Sequence, residues 1–250
     1  MRRDELVNWL DEYLDLPRYP DLSLNGLQVE GRPEVTRVGV AVDAAAPVFE
    51  KALEAGVDFL IVHHGLFWGK PLAVTGPHKR RLELLFSGGI NLYAAHLPLD
   101  AHPEVGNNAV LARELGLVDL EPFGEFKGVK IGFKGRFPVP ESLAQIADKL
   151  GQLTGMQCLV HQGGQDPVER VGIVSGGAAW TVVEAAREGL ELFITGEPKH
   201  EVFHETFERG MNAIYAGHYD TEVFGVKALA QKLQETFGLE WVFLDHPTGL

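Results

Sequence analysis

Part of this chain is written twice, and that limits its folds more than any other feature. Residues 37–61 lie without a gap over residues 170–194, an offset of 133. Arg37-Val38-Gly39-Val40 matches Arg170-Val171-Gly172-Ile173. Ala45-Ala46, Ala52, Gly56 and Ile61 then fall on Ala178-Ala179, Ala185, Gly189 and Ile194. Each copy has the pattern of a strand, a small-residue turn, an amphipathic helix (47–55 and 180–188) closed by glycine, and a second strand. A further match, at an offset of 122, sets Tyr93-Ala94-Ala95-His96 and Asp100 over Tyr215-Ala216-Gly217-His218 and Glu222. Helices are expected over 107–115 and 221–236, after the two histidine motifs. Each half opens with a helix, Asp4 to Leu14 or Glu141 to Leu153, and then a short strand near 26–30 or 157–162. One period near 130 residues marks a duplicated domain, since solenoid repeats run about 20–50 residues. Alternating strands and helices indicate α/β layering. The expected fold is therefore two similar α/β halves with mixed sheets flanked by helices. The halves are expected at 1–124 and 125–250, joined by the Pro/Gly-bearing stretch 121–128, and intertwining of the two is left open.

The 250 residues suffice for two such halves, each with its own core. The net charge of −13 disfavours charge-driven binding of nucleic acid. Cys158 is the only cysteine, which excludes an intramolecular disulfide and leaves nitrogen and oxygen as metal donors. No apolar run approaches the roughly 18 residues that span a bilayer, and Met1-Arg2-Arg3-Asp4 opens no secretory leader. A cytoplasmic protein with no membrane partner is expected.

The stretch Phe59-Leu60-Ile61-Val62-His63-His64-Gly65 carries the first chemical signal. A buried strand is a rigid platform for two adjacent imidazoles, and neutral imidazole is the commonest metal ligand. Successive strand residues point to opposite faces, so His63 and His64 are expected to reach different ions. His96 with Asp100 and His218 with Glu222 stand four residues apart, a spacing that brings two side chains to one side of a helical turn. All three segments close strands, and open α/β sheets build their sites outside the carboxyl ends of strands. Two divalent ions with two carboxylates keep a net positive charge that suits an anionic substrate group such as phosphate. Mixed histidine and carboxylate ligation fits zinc, iron or manganese without choosing among them. Glu197, at the repeat position of His64, is a candidate general base. Leu66-Phe67-Trp68 is an apolar loop that could wall a substrate cleft or make a subunit contact. His78-Lys79-Arg80-Arg81 is expected as a solvated helix start. No P-loop, nucleophile elbow or dinucleotide fingerprint is present, and Gly163-Gly164 and Gly176-Gly177 are too short to indicate a phosphate cradle.

Taken together, Leu24-Asn25-Gly26-Leu27-Gln28-Val29, the His63-His64 strand, Tyr93 to His96 with Asp100, Thr195-Gly196-Glu197 and Gly217 to Glu222 resemble the GTP cyclohydrolase I type 2 homologues, the NGG-interacting-factor-three-like family. The resemblance spans the whole chain. It implies a metal cleft between the halves, a two-metal site on His63, His64, Asp100, His218 and Glu222, and a homohexameric ring. It places His96 outside the usual ligands, orienting one of them or touching substrate. The implied activity is that of a dinuclear metal-dependent hydrolase acting on a nucleotide or other phosphorylated small molecule. A metal-binding regulatory or interaction protein without turnover is the alternative.

Overall fold

A computed structural model describes residues 1–250. The first stretch of chain forms α1 (Arg3–Tyr13), β1 (Gly26–Val29), β2 (Arg37–Asp43), α2 (Ala46–Glu54), β3 (Phe59–His64), α3 (Gly76–Gly88), β4 (Asn91–Ala94) and the one-turn α4 (Leu97–Asp100). Next come α5 (Asn107–Glu114), β5 (Val118–Phe126), β6 (Val129–Glu141), α6 (Leu143–Thr154), β7 (Leu159–Gln162), β8 (Val168–Ile173), α7 (Val182–Arg187) and β9 (Leu192–Thr195). The chain ends with α8 (Phe203–Glu208), β10 (Asn212–Tyr215), the one-turn α9 (His218–Thr221), α10 (Val223–Phe237) and β11 (Glu240–Phe243). It folds as two compact units, Met1–Leu99 with Val226–His246, and Asp100–Gly225 with Pro247–Leu250.

The first unit holds a five-stranded sheet of order β1-β4-β3-β2-β11. Strands β2, β3 and β4 run parallel, β11 joins β2 in parallel, and β1 pairs antiparallel with β4. Parallel strands need cover on both faces, which explains why Phe59 to His63 are all buried. On one face Leu60, Val62, Leu92 and Ala94 pack on Val48, Phe49 and Ala52 of α2 and Leu82 and Leu85 of α3. On the other, Tyr93 packs beside Phe59 with the rings tilted and donates its hydroxyl to Asp11 of α1 at 2.9 Å.

The second unit repeats this plan. Its sheet has the order β5-β6-β8-β9-β10-β7, with β8, β9 and β10 parallel and β7 antiparallel to β10. Two further latches recur. Asn91 accepts from Gly31 N and donates to Arg32 O and Asp58 O; Asn212 accepts from Gly164 N and donates to Gln165 O and Glu191 O. Asp58 accepts from Thr36 N and Arg37 N, as Glu191 does from Glu169 N and Arg170 N.

Two expectations need correction. The boundary at 124/125 falls inside a strand: Pro122 and Gly124 lie within β5, and Lys127-Gly128, both with positive φ, form the hairpin turn to β6, so the stretch belongs to a sheet and is no linker. The repeat in the histidine segment is also one residue out. Asn91 pairs with Phe59 and Asn212 with Leu192, and α4 and α9 start at Leu97 and His218, all of which set the offset at 121. A one-residue slip moves a strand side chain to the other face, and Tyr93 and Tyr215 do lie on opposite faces. Tyr215 packs with Phe193, Val182 and Ala185, on the face that corresponds to α2. His218 therefore corresponds to Leu97, not His96, and Asp100 to Thr221.

Candidate metal centre

In the first unit, three imidazoles gather where β3 and β4 end. The rings of His63 and His64 are 4.7 Å apart, His63 and His96 5.0 Å, and His64 and His96 5.6 Å. One ring nitrogen from each lies within 4.8 Å of the others. The alternation expected to separate His63 from His64 is thus lost at the last residue of the strand, and His96 belongs to the same cluster.

Each of these rings is held by its Nδ1. His63 Nδ1 lies 2.9 Å from Ala95 O, and a carbonyl oxygen only accepts, so that nitrogen carries the proton. His64 Nδ1 meets Asp43 Oδ1 at 2.8 Å. His96 Nδ1 meets both oxygens of Asp21 at 3.0 Å. Asp21 is a hub that also accepts from Ser23 N, Asn25 Nδ2 and Leu97 N. Burial would raise its carboxyl, but the His96 ring and these other donors hold it well below the usual carboxylate range.

In the second unit, Asp100 and Glu222, 6% and 3% exposed, flank the Ser175-Gly176 segment that follows β8. Asp100 Oδ1 accepts from Asn107 Nδ2 at 2.9 Å and Ser175 Oγ at 3.0 Å. Asn108 braces the same segment, accepting from Ser175 N at 2.7 Å. His218 Nδ1 faces Glu197 Oε1 at 2.5 Å, and its Nε2 faces Glu222 Oε1 at 3.2 Å. Burial works against a charge on this ring, but the Glu222 and Glu197 carboxylates outweigh it and push its pKa up to about 9. Gly176 makes room for the carboxylate: a Cβ there would stand 2.2 Å from Glu222 Oε1. The backbone N–H groups of His218 and Tyr219 donate to Leu250 O at 2.7 and 3.4 Å.

The donors gathered in each unit are of the kinds that first-row divalent ions take. In His63, His64 and His96 Nδ1 is committed to an oxygen, which in the neutral ring puts the lone pair on Nε2, the arrangement found around metal-bound imidazoles, whereas His218 meets a carboxylate at each nitrogen. The orienting residues Asp21, Asp43, Ser175, Asn107 and Asn108 belong to none of the histidine motifs of the sequence. Asp43 had a detectable signal, since strand pairing sets it beside His64. Its counterpart in the second half is Gly176, so one repeat position supplies an anchor in one half and space in the other.

A family model described as Duf34/NIF3 (NGG1p interacting factor 3) matches residues 1–249. A relative from Deinococcus radiodurans named GTP cyclohydrolase 1 type 2 homolog is 54% identical, covering 99% of this chain and 94% of its own length. One of the same name from Archaeoglobus fulgidus is 47% identical over the full length of both. The crystal structure of TTHA1606 from Thermus thermophilus is similar with a TM-score of 0.92, at 67% identity and full coverage of both chains.

Proposed function

The chain belongs to the Duf34/NIF3 family, and from that premise we propose that it is a dinuclear metal-dependent hydrolase acting on a nucleotide or another phosphorylated small molecule. The reading rests on one observation above all: every candidate histidine has its Nδ1 anchored by an oxygen, the arrangement that orients metal-bound imidazoles. His63, His64, Asp100, His218 and Glu222 are the proposed holders of two ions, of zinc, iron or manganese. Such ions supply an activated water at neutral pH and a clamp for anionic oxygens. Asp43 and Glu197 keep the protons of His64 and His218 on Nδ1. Glu197 Oε1, expected from the sequence as a general base, is committed to that ring, so its role is positioning. His96, held by Asp21, is assigned to contact with the substrate. A cytoplasmic homohexamer is part of the same proposal, checked by light scattering.

Elemental analysis of protein purified without added metal should return about two ions per chain. The loaded protein should turn over a phosphorylated substrate, and His63→Ala and Glu222→Ala should abolish that turnover. Activity that survives either substitution refutes the assignment. The family description, an interacting factor, favours a second reading in which the ions serve assembly or partner binding without turnover. Chelation that dissolves an assembly, in protein with no hydrolysis to lose, would select that reading.

A further inference from the structure

We propose that Trp68 is a stacking platform that selects substrates carrying a planar aromatic base. This deepens the reading above and depends on it, since it assumes that the histidine cluster draws a phosphorylated small molecule. The indole ring lies 4.9 Å from the His96 ring, edge to face, and 5.8 Å from the His64 ring. It is therefore next to two of the three clustered imidazoles, yet it is 37% exposed.

The ring's support is stiff. Trp68 Nε1 donates to Gly65 O at 2.9 Å, Leu66 N donates to Gln28 Oε1 at 2.7 Å, and Phe67 O accepts from Leu24 N at 2.9 Å. A Cβ at Gly65 would stand 2.3 Å from Gln28 Nε2 and 2.7 Å from Ala94 Cβ, so a larger residue there would disturb this packing. Leu22 and Leu24, 62% and 55% exposed, lie on the segment that this last hydrogen bond joins to the Trp68 loop. An indole that has committed its only donor to its own backbone has only π surface left to offer a ligand. Beside groups suited to anions, that surface matches the base of a nucleotide, and stacking of this kind tolerates any base because each has a π face. These hydrogen bonds are made without a ligand, so less ordering is left for binding to supply.

The test uses zinc-loaded full-length protein and calorimetric titration with GTP, ribose 5-phosphate and inorganic phosphate, for wild type, Trp68→Ala and Trp68→Phe. Wild type should bind GTP more tightly than ribose 5-phosphate. Trp68→Ala should weaken GTP by about 5- to 150-fold, the range for one stacked base, and leave ribose 5-phosphate and metal content unchanged. Trp68→Phe should keep most of the preference. Equal weakening of GTP and ribose 5-phosphate would make the residue structural and overturn the proposal. An unchanged GTP affinity in Trp68→Ala, with phosphate binding intact, would overturn it while leaving the metal reading standing. A change in oligomeric mass without a change in base preference would make the loop a contact between copies and overturn it as well. Wild type that binds metal but none of the three probes would defeat the phosphorylated-substrate reading and this inference together.

Discussion

Gly176→Ala should damage the candidate centre without replacing any proposed ligand. Gly176 has a φ of +65°, where an L-residue pays about 1–2 kcal/mol. Gly56 has the same φ of +65° and nothing within 4 Å of where a Cβ would sit. Gly56→Ala therefore isolates the backbone cost. At Gly176 the added carbon would also stand 2.2 Å from Glu222 Oε1 and 3.1 Å from His218 Nε2. Carbon atoms prefer neighbours at about 3.5–4.0 Å, so something must move by at least about 1 Å. The backbone is poorly able to yield, because Gly176 N donates to Thr221 Oγ1 and Gly176 O accepts from Gly196 N, Glu197 N and Thr195 Oγ1. The Glu222 carboxylate is the group that shifts. Disturbing the setting of a ligand typically costs about 10–100-fold in metal affinity. Competition against a chromophoric chelator should show that loss for Gly176→Ala and none for Gly56→Ala. Urea melts of the stripped proteins should show a destabilisation of about 1–2 kcal/mol for Gly56→Ala and at least as much for Gly176→Ala. Metal affinity for Gly176→Ala within about twofold of wild type would refute the claim that this glycine keeps the carboxylate's place.

Other outcomes follow from the same geometry. Asp43→Ala frees the Nδ1 of His64 and should weaken metal binding by about 10–100-fold, read by the same competition assay. Asp58→Ala should cost about 2–4 kcal/mol by stranding the Thr36 and Arg37 amides. Burial raises the Asp58 carboxyl, but its hydrogen bonds from Thr36, Arg37 and Arg32 outweigh that and lower it. Its contribution is therefore whole above the unfolded value of about 3.9 and lost as pH falls through the lower folded value, so melts of wild type and variant should converge in acid. His218 is shifted the other way, up to about 9. In stripped protein its protonated ring stabilises fully below the unfolded value of about 6.5, and that contribution disappears as pH rises through about 9. A metal must displace this proton, so affinity should climb with pH towards about 9, and Glu197→Gln should move the climb to lower pH.

Much of the fold was legible because duplication repeats the physical signals as well as the letters. The strand, helix and glycine pattern of 37–61 recurs at 170–194, and both units build three parallel strands with an antiparallel fourth at the edge. The helices over 3–13, 46–54 and 107–114 stand within about two residues of expectation, the usual uncertainty of helix ends. Residues 121–128 have a linker's composition because glycine and proline occur within strands and hairpin turns as well as in linkers. The histidine repeat slips by one residue because a match of letters does not record which face of a strand a residue occupies.

The sequence alone determined the α/β class, the duplication and the residue types able to bind a metal, because periodicity and donor chemistry are local properties. It also carried the family resemblance, which the family match bears out. Only the tertiary structure decided the register between the repeats, the clustering of His96 with His63 and His64, and the anchors Asp21, Asp43 and Ser175. Those depend on which strands pair and where each ends, and contacts between residues far apart in the chain leave no periodic trace. Asp21 and His96 are 75 positions apart and share a hydrogen bond. That bond exists because packing places the 21–25 turn against the end of β4.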